Sequence, residues 1–356
     1  MDILIGTALL LLVLSLFSLF SFKAPNGMKA MGALANAAVA SFLVEAFQSY
    51  VGGDLFGFSL AKEVGLASGS MGGVAAAALV SLAMGVSPVY ALLLGAACAG
   101  TGLLPGFIAG YLVSFLVKLI EKKVPDGLDL IVCIIVAAPL VRFVANMATP
   151  VVNATLMNIG GIITTAANNN PIIMGIVLGG VITVVATAPL SSMALTAMLG
   201  LTGLPMAIGA LSVMGSSFMN FVFFHRMKFG DRSSTIAVAI EPLTQADVIS
   251  ANPIPVYVTN FLGGAMAGVV VALFNLTNNA TGTATPIAGL MVMYGFNDAK
   301  TVTIAAALCA LCGILAGFIG SVVFKNYKIR TVAEIRGTKP EPTAAPAATP
   351  ASIEIA

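Results

Sequence analysis

Within an otherwise apolar chain, one stretch gathers side chains that can hydrogen-bond a polar ligand. Between Gly230 and Asn260 (GDRSSTIAVAIEPLTQADVISANPIPVYVTN) lie Glu241, Gln245, Asp247 and Asn252, interrupted by Pro242, Pro253 and Pro255. The prolines remove backbone donors and crowd the preceding turn, so the stretch is not one regular helix. In a lipid-embedded chain, irregular polar backbone persists only where protein buries it or a watery cavity wets it. Acceptors and donors collected on such backbone read as a binding site. Ionisable residues inside apolar runs are the other chemical candidates. Glu45 and Arg142 are read as a buried ion pair or as groups for proton or substrate coupling, since a charge within a span normally faces the bundle interior.

Several chemistries are excluded. The four cysteines lie in apolar segments, and the Cys309-x-x-Cys312 pair reads as small packing residues on one helix face rather than a redox or metal centre. The one histidine, His225, sits at a basic edge with Arg226 and Lys228, so the usual His-rich metal sites are out of reach. No GxxxxGKS/T loop for nucleotide phosphates occurs. No hydrolytic triad has members, so no residue is assigned a catalytic role and nothing calls for a cofactor or a metal. Transport by this chain would draw on a gradient or on energy from a partner.

The elements that must hold these groups are membrane helices. The 356 residues are 59% hydrophobic and only 8% charged, against roughly 25% charged in a soluble domain, and the mean hydropathy is +1.04. A net charge of +2, with basic residues at segment ends, excludes nucleic-acid binding, which needs a concentrated basic face. Thirty-seven glycines, largely inside apolar runs, suit either close helix packing or hinges. An all-α, polytopic membrane protein is expected.

Ile3–Phe22 has about the 20 apolar residues that a span needs and exceeds a secretory h-region, so it is expected to be a retained membrane helix. Ala30–Val51 follows as a second span carrying Glu45 and Gln48, then two or three segments over Met71–Ile120 and a span over Leu128–Ala148 carrying Arg142. Thr149–Pro171, with Pro150 and several asparagines, reads as an interfacial or broken helix. Ile172–Pro205 is expected to form a re-entrant hairpin with its tip near Thr187–Ser192, and Asn275–Lys300 a second one. Met206–Phe224, Val256–Phe274 and Val302–Phe324 complete the spans. Basic clusters at Lys118–Lys123, at His225–Lys228 and at Lys325–Arg330 mark cytoplasmic edges, which puts the C-terminus in the cytoplasm. Residues 1–330 are read as the transmembrane domain and 331–356 as a disordered tail, Pro/Ala-rich from Gly337 onward.

Four stretches carry a resemblance to a known family. Ile236–Pro253 (IAVAIEPLTQADVISANP) resembles the region of the phosphotransferase-system sugar permeases, enzyme IIC, where a glutamate precedes an Asp/Asn-Pro pair. Ala24–Ala37 (APNGMKAMGALANA), Ala188–Pro205 (APLSSMALTAMLGLTGLP) and Asn252–Pro255 (NPIP) are similar to a stand-alone branch of IIC-like proteins, and the likeness covers most of residues 20–330. The resemblance implies a dimer of roughly ten-helix subunits with re-entrant hairpins in a bacterial inner membrane. It assigns the sugar contact to Glu241, with Asn252 at the Asp/Asn-Pro position, and a carboxylate with carboxamides suits the many hydroxyls of a polyol. The motif here reads Ala239-Ile240-Glu241-Pro242 and lacks the threonine before the glutamate. No IIA or IIB domain is fused, so phosphoryl transfer would need separate subunits.

The expected function is alternating-access permeation of a sugar or sugar-like polar solute, bound by Glu241, Gln245, Asp247, Asn252 and Asn220. Two other readings stand at this point. One is a membrane sensor or regulator with a permease fold, and the other an ion-coupled carrier of an anionic solute with Arg142 as the anion's partner.

Overall fold

The computed structural model describes residues 2–188 and 192–336, and almost all of its regular structure is helical. The helices, in chain order, begin with α1 (Asp2–Lys23) and α2 (Gly27–Leu55), the latter widened into π-turns on either side of Glu45. Next come α3 (Ser59–Ser70) and α4 (Gly72–Ala83), which meet at a 58° bend, then α5 (Pro88–Ala97), α6 (Leu103–Lys123) and α7 (Leu128–Asn169). The second half holds α8 (Pro171–Thr187), α9 (Ser192–Met198), α10 (Leu204–Met227), α11 (Arg232–Ile240) and α12 (Ala246–Ala251). It ends with α13 (Pro253–Leu273), α14 (Pro286–Met293), α15 (Ala299–Val323) and α16 (Val332–Arg336).

Proline sets many of these boundaries. It occupies the first turn of α5, α8, α10, α13 and α14, where its missing N–H costs no hydrogen bond and its fixed φ suits the helix. Asp298 caps α15 by accepting from the Thr301 N–H at 2.9 Å. Within Thr149–Pro171, expected to be an interfacial or broken helix, residues 149–169 are instead part of a continuous 42-residue helix, which ends before the bend at Asn170. The helix runs on through Pro139 and Pro150, with π-turns at Cys133–Ala137 and Asn153–Met157 that widen it without ending it.

Among the described residues, seven helices are long and apolar enough to cross a bilayer, or eight if the bent α3–α4 pair is one span. The shorter apolar helices α5 and α8 stand beside them, 10 and 17 residues long. At the chain's end, residues expected to be tail form α16, whose Val332 is buried with Phe229, Val248 and Ile249. Residues 337–356 lie outside the described residues.

The core of the second half is the contact of α8 with α13. Gly175 and Gly179 on α8 face Gly268 and Gly264 on α13 so closely that a Cβ at each would stand 2.6, 2.2, 2.0 and 2.2 Å from the facing glycine's carbonyl oxygen. Both helices present the Gly-x-x-x-Gly spacing that lets membrane helices meet backbone to backbone. The Thr183 hydroxyl donates to the Asn260 carbonyl at 2.9 Å one turn further along. Since 175 pairs with 268, 179 with 264 and 183 with 260, the helices are antiparallel, and the end of α8 lies beside the start of α13.

Two hairpins hang from this pair, as expected. The first returns through α9; the tip expected near Thr187–Ser192 falls partly on residues 189–191, which lie outside the described residues. The second leaves α13, loops through Asn278 and returns as α14. Gly203 and Asn278 exchange backbone hydrogen bonds at 2.8 and 3.0 Å, the Ser192 hydroxyl donates to the Ala284 carbonyl at 2.6 Å, and Thr281 donates to the Thr196 carbonyl at 2.9 Å. The hairpins are therefore interlocked. In addition, α9 bridges the two halves of the bundle, with Met193, Ala194 and Met198 in the core of α2, α4 and α6, and Leu195 in the core of α8 and α10.

Gly268→Ala would place a methyl group 2.0 Å from the Gly175 oxygen, a clash with backbone that no rotamer relieves. A loss of about 1–3 kcal/mol, the scale of core overpacking, should appear as a lower Tm in detergent. Gly32→Ala, with nothing within 4 Å of the new methyl, should leave Tm unchanged or raise it. Equal Tm values for the two variants would contradict the close contact of α8 and α13.

Candidate functional site

Glu241 is positioned by the way α11 begins and ends. The Asp231 carboxylate caps the first turn, accepting from the Ser234 N–H at 2.8 Å. The helix stops at Glu241, whose backbone is extended (φ −147°, ψ 102°). Pro242 is the reason, because the proline ring excludes helical conformations from the residue before it. A 3-10 turn over Pro242–Gln245 follows, closed by the Thr244 hydroxyl donating to the Glu241 carbonyl at 2.8 Å.

This turn delivers Glu241 and Pro242 to the place where the hairpins meet. The same small cavity is lined by Ser192 and Met193 of the first hairpin, by Ala284, Thr285 and Pro286 of the second, and by Ala186 near the end of α8 and Val213 of α10. Its volume is about 10 Å³, the room of a single water. A carboxylate beside the hydroxyl-bearing Ser192 and Thr285 supplies an acceptor together with groups that both donate and accept. Such a set can exchange hydrogen bonds with a hydroxylated solute once the walls part.

The other residues expected at the site are placed differently. Gln245, Asp247 and Asn252 engage the C-terminal segment rather than the cavity. Arg336 donates to both Asp247 oxygens at 2.8 Å and to the Gln245 Oε1 at 3.0 Å. Asn252 donates through Nδ2 to the Arg330 carbonyl at 2.8 Å and accepts the Arg330 N–H at 2.7 Å, and the Val332 N–H reaches the Phe229 carbonyl at 2.8 Å. Residues 330–336 thus strap the segment that carries Glu241. The Arg336 guanidinium beside Asp247 holds its carboxyl below the usual carboxylate range, and the Asp247 carboxylate in turn raises Arg336.

Asn220 lies seven residues beyond Val213, roughly 10 Å along α10 at 1.5 Å per residue. It is fully buried and accepts from the Asn260 amide at 3.1 Å, so it joins α10 to α13 rather than entering the cavity. Glu45 and Arg142 do not pair with each other. Glu45 packs against Gly69, where a Cβ would stand 2.1 Å from the carboxylate. Arg142 donates to the carbonyls of Ala97 and Ala99 at the end of α5, where a helix C-terminus attracts a cation. His225 is exposed and stacks on Phe221, and Cys309 is buried with its thiol 3.6 Å from the Ala267 carbonyl, a packing role. Ser192 and Thr285 were not singled out from sequence. The signal for them is small polar residues on short apolar pieces, Ser191-Ser192 and Thr281-Gly-Thr-Ala-Thr-Pro286.

Arg336→Gln should raise amide exchange over residues 244–252 by a few-fold, because the Asp247 and Arg336 side chains are 44% and 34% exposed and such a pair is worth up to about 1 kcal/mol. Exchange in α8 and α13 should not change. A depressed folded-state pKa contributes stability that is present above the unfolded value and lost as pH falls through the folded one. The strap should therefore hold from pH 8 to pH 5 and loosen only below the ordinary aspartate pKa of about 3.9. Loosening between pH 8 and pH 5 would contradict the Asp247–Arg336 assignment.

The family model described as "Phosphotransferase system, EIIC" matches residues 28–335, a range that takes in both hairpins, the Glu241 turn and nearly all of the strap. No curated protein and no solved structure matches the chain. With a match over most of its length, this integral membrane protein belongs to the EIIC family of the phosphotransferase system, the sugar-permease component that works with IIA and IIB components.

Proposed function

We propose that the chain carries a sugar or sugar-like polar solute by alternating access, with Glu241 as the principal acceptor for its hydroxyls and Ser192 and Thr285 as flanking partners. The observation that carries this reading is the convergence of Glu241 with two interlocked hairpins in one cavity. A cavity of about 10 Å³ is far below the roughly 300 Å³ at which ligand pockets begin. Solute binding therefore requires the hairpins and the Glu241 turn to separate, which is what an alternating-access cycle does. Gln245, Asp247 and Asn252 act on the solute indirectly, by holding the turn, and Asn220 acts through the α10–α13 contact.

The same reading puts the protein in a bacterial inner membrane as a homodimer, with the Arg226–Lys228 and Lys325–Arg330 ends on the cytoplasmic side, as the positive-inside rule favours. Phosphoryl transfer falls to separate IIA and IIB subunits that meet the solute at that side.

Uptake into vesicles containing the protein, with and without phosphoenolpyruvate, the general phosphotransferase proteins and the IIA and IIB subunits, tests the reading. Wild type should accumulate phosphorylated sugar only with those components. Glu241→Gln should lower uptake on the order of tenfold or more, the loss of a hydrogen bond to a charged acceptor, while its elution profile and Tm match wild type. Wild-type uptake by a folded Glu241→Gln variant would sink the site, and binding without uptake would favour a sensor.

A further inference from the structure

Where α10 and α15 end, on the side of the strap, Arg226, Lys228 and Lys325 converge on an open pocket of about 380 Å³ that Ser321 and Tyr327 also line. Among the described residues, no carboxylate forms an ion pair with them. The two ion pairs among the described residues, Lys62–Asp54 and Arg336–Asp247, lie elsewhere. Arg226 is held rigidly, its Nε donating to the Ser321 hydroxyl at 2.7 Å and its guanidinium 4.5 Å over the Phe318 ring. That geometry leaves its two terminal nitrogens without a hydrogen bond among the described residues. Lys228 ends α10 in the left-handed region (φ 58°, ψ 45°), where glycine or asparagine is the low-cost residue.

Cations at the ends of helices are ordinary, since they complement the helix dipole and the positive-inside rule. Neither effect requires three of them, from two helices and the following loop, to share one concavity with a hydroxyl and a phenol. We propose that this pocket is a site for a phosphate-bearing anion. A guanidinium fork with two lysine point charges is the donor set that phosphate oxygens fit. The position, at the ends of two membrane-spanning helices, is where basic pockets receive anionic headgroups. The ligand is thus either an anionic phospholipid headgroup or a soluble phosphate.

Occupancy has a structural consequence. Lys325, Tyr327 and Ile329 line the pocket, and the next residue, Arg330, is the one whose backbone pairs with Asn252. An anion between the end of α10 and this segment firms the strap at its root, independently of which solute the protein carries.

The test uses the full chain and the Lys228→Gln/Lys325→Gln variant, which leaves the Arg226 bond to Ser321 in place. One arm measures phosphatidylglycerol retained by the protein from mixed phosphatidylglycerol/phosphatidylcholine nanodiscs by native mass spectrometry. The other titrates inorganic phosphate against chloride at equal ionic strength in neutral detergent, following Tm and amide exchange over residues 325–332. Selective retention in the first arm identifies a lipid headgroup, and protection in the second identifies a soluble phosphate. In either case the variant should weaken binding by roughly fivefold for each lysine removed. Identical behaviour of wild type and variant in both arms would overturn the site, and binding without slower exchange at 330–332 would overturn its link to the strap.

Discussion

The register of α8 against α13 is the constraint on which the candidate site depends. Four glycines let the two backbones touch, and because each facing group is a carbonyl oxygen, no side-chain adjustment can substitute for the missing Cβ atoms. The contact is antiparallel, so the end of α8 at Thr187 comes beside the start of α13 at Pro253. The segment that leads into α13 is the one that carries Glu241. It is brought to Ala186, and thereby to the first hairpin, by the same register that sets the helices together. A slip of one turn, about 5.4 Å, would carry the Glu241 turn past the hairpins.

Against that rigid contact, the turn and its strap are built from weaker parts. Asp247 and Arg336 are partly exposed, and their bond is of the size typical of surface pairs. Asn252 copies a backbone partner for Arg330, a pairing that holds the segment in place without burying a charge. Dry backbone packing carries the framework, while exchangeable polar contacts carry the piece that must move if a cavity with room for one water is to admit a solute. In the proposed alternating-access cycle, such a division would let the site open without disturbing the helices that define it.

Much of this was legible in the sequence, for identifiable reasons. Hydropathy and proline punctuation located the spans and both hairpins, because membrane helices are apolar throughout and proline is tolerated at their first turns. Glu241 stands out as a candidate because its carboxylate lies in apolar sequence on backbone that proline keeps from being one regular helix. Gln245, Asp247 and Asn252 looked like ligands for the same reason, but their partners, Arg330 and Arg336, lie about 80–90 residues away, and no local pattern announces a contact at that distance. Thr149–Asn169 was misread because Pro150 suggested a break, whereas the helix continues through it and on past a π-turn at Asn153–Met157. Ser192 and Thr285 escaped notice because a hydroxyl in a membrane helix usually bonds its own backbone, as Thr196 does to Ser192.

The most direct test of the central claim is sugar-dependent protection of the Glu241 carboxyl from carbodiimide labelling, read by mass spectrometry of the protein in membrane vesicles. A transported sugar should slow labelling of Glu241 and leave the exposed Asp54 unaffected. Labelling of Glu241 at the same rate with and without saturating sugar, under conditions in which that sugar is taken up, would contradict the account.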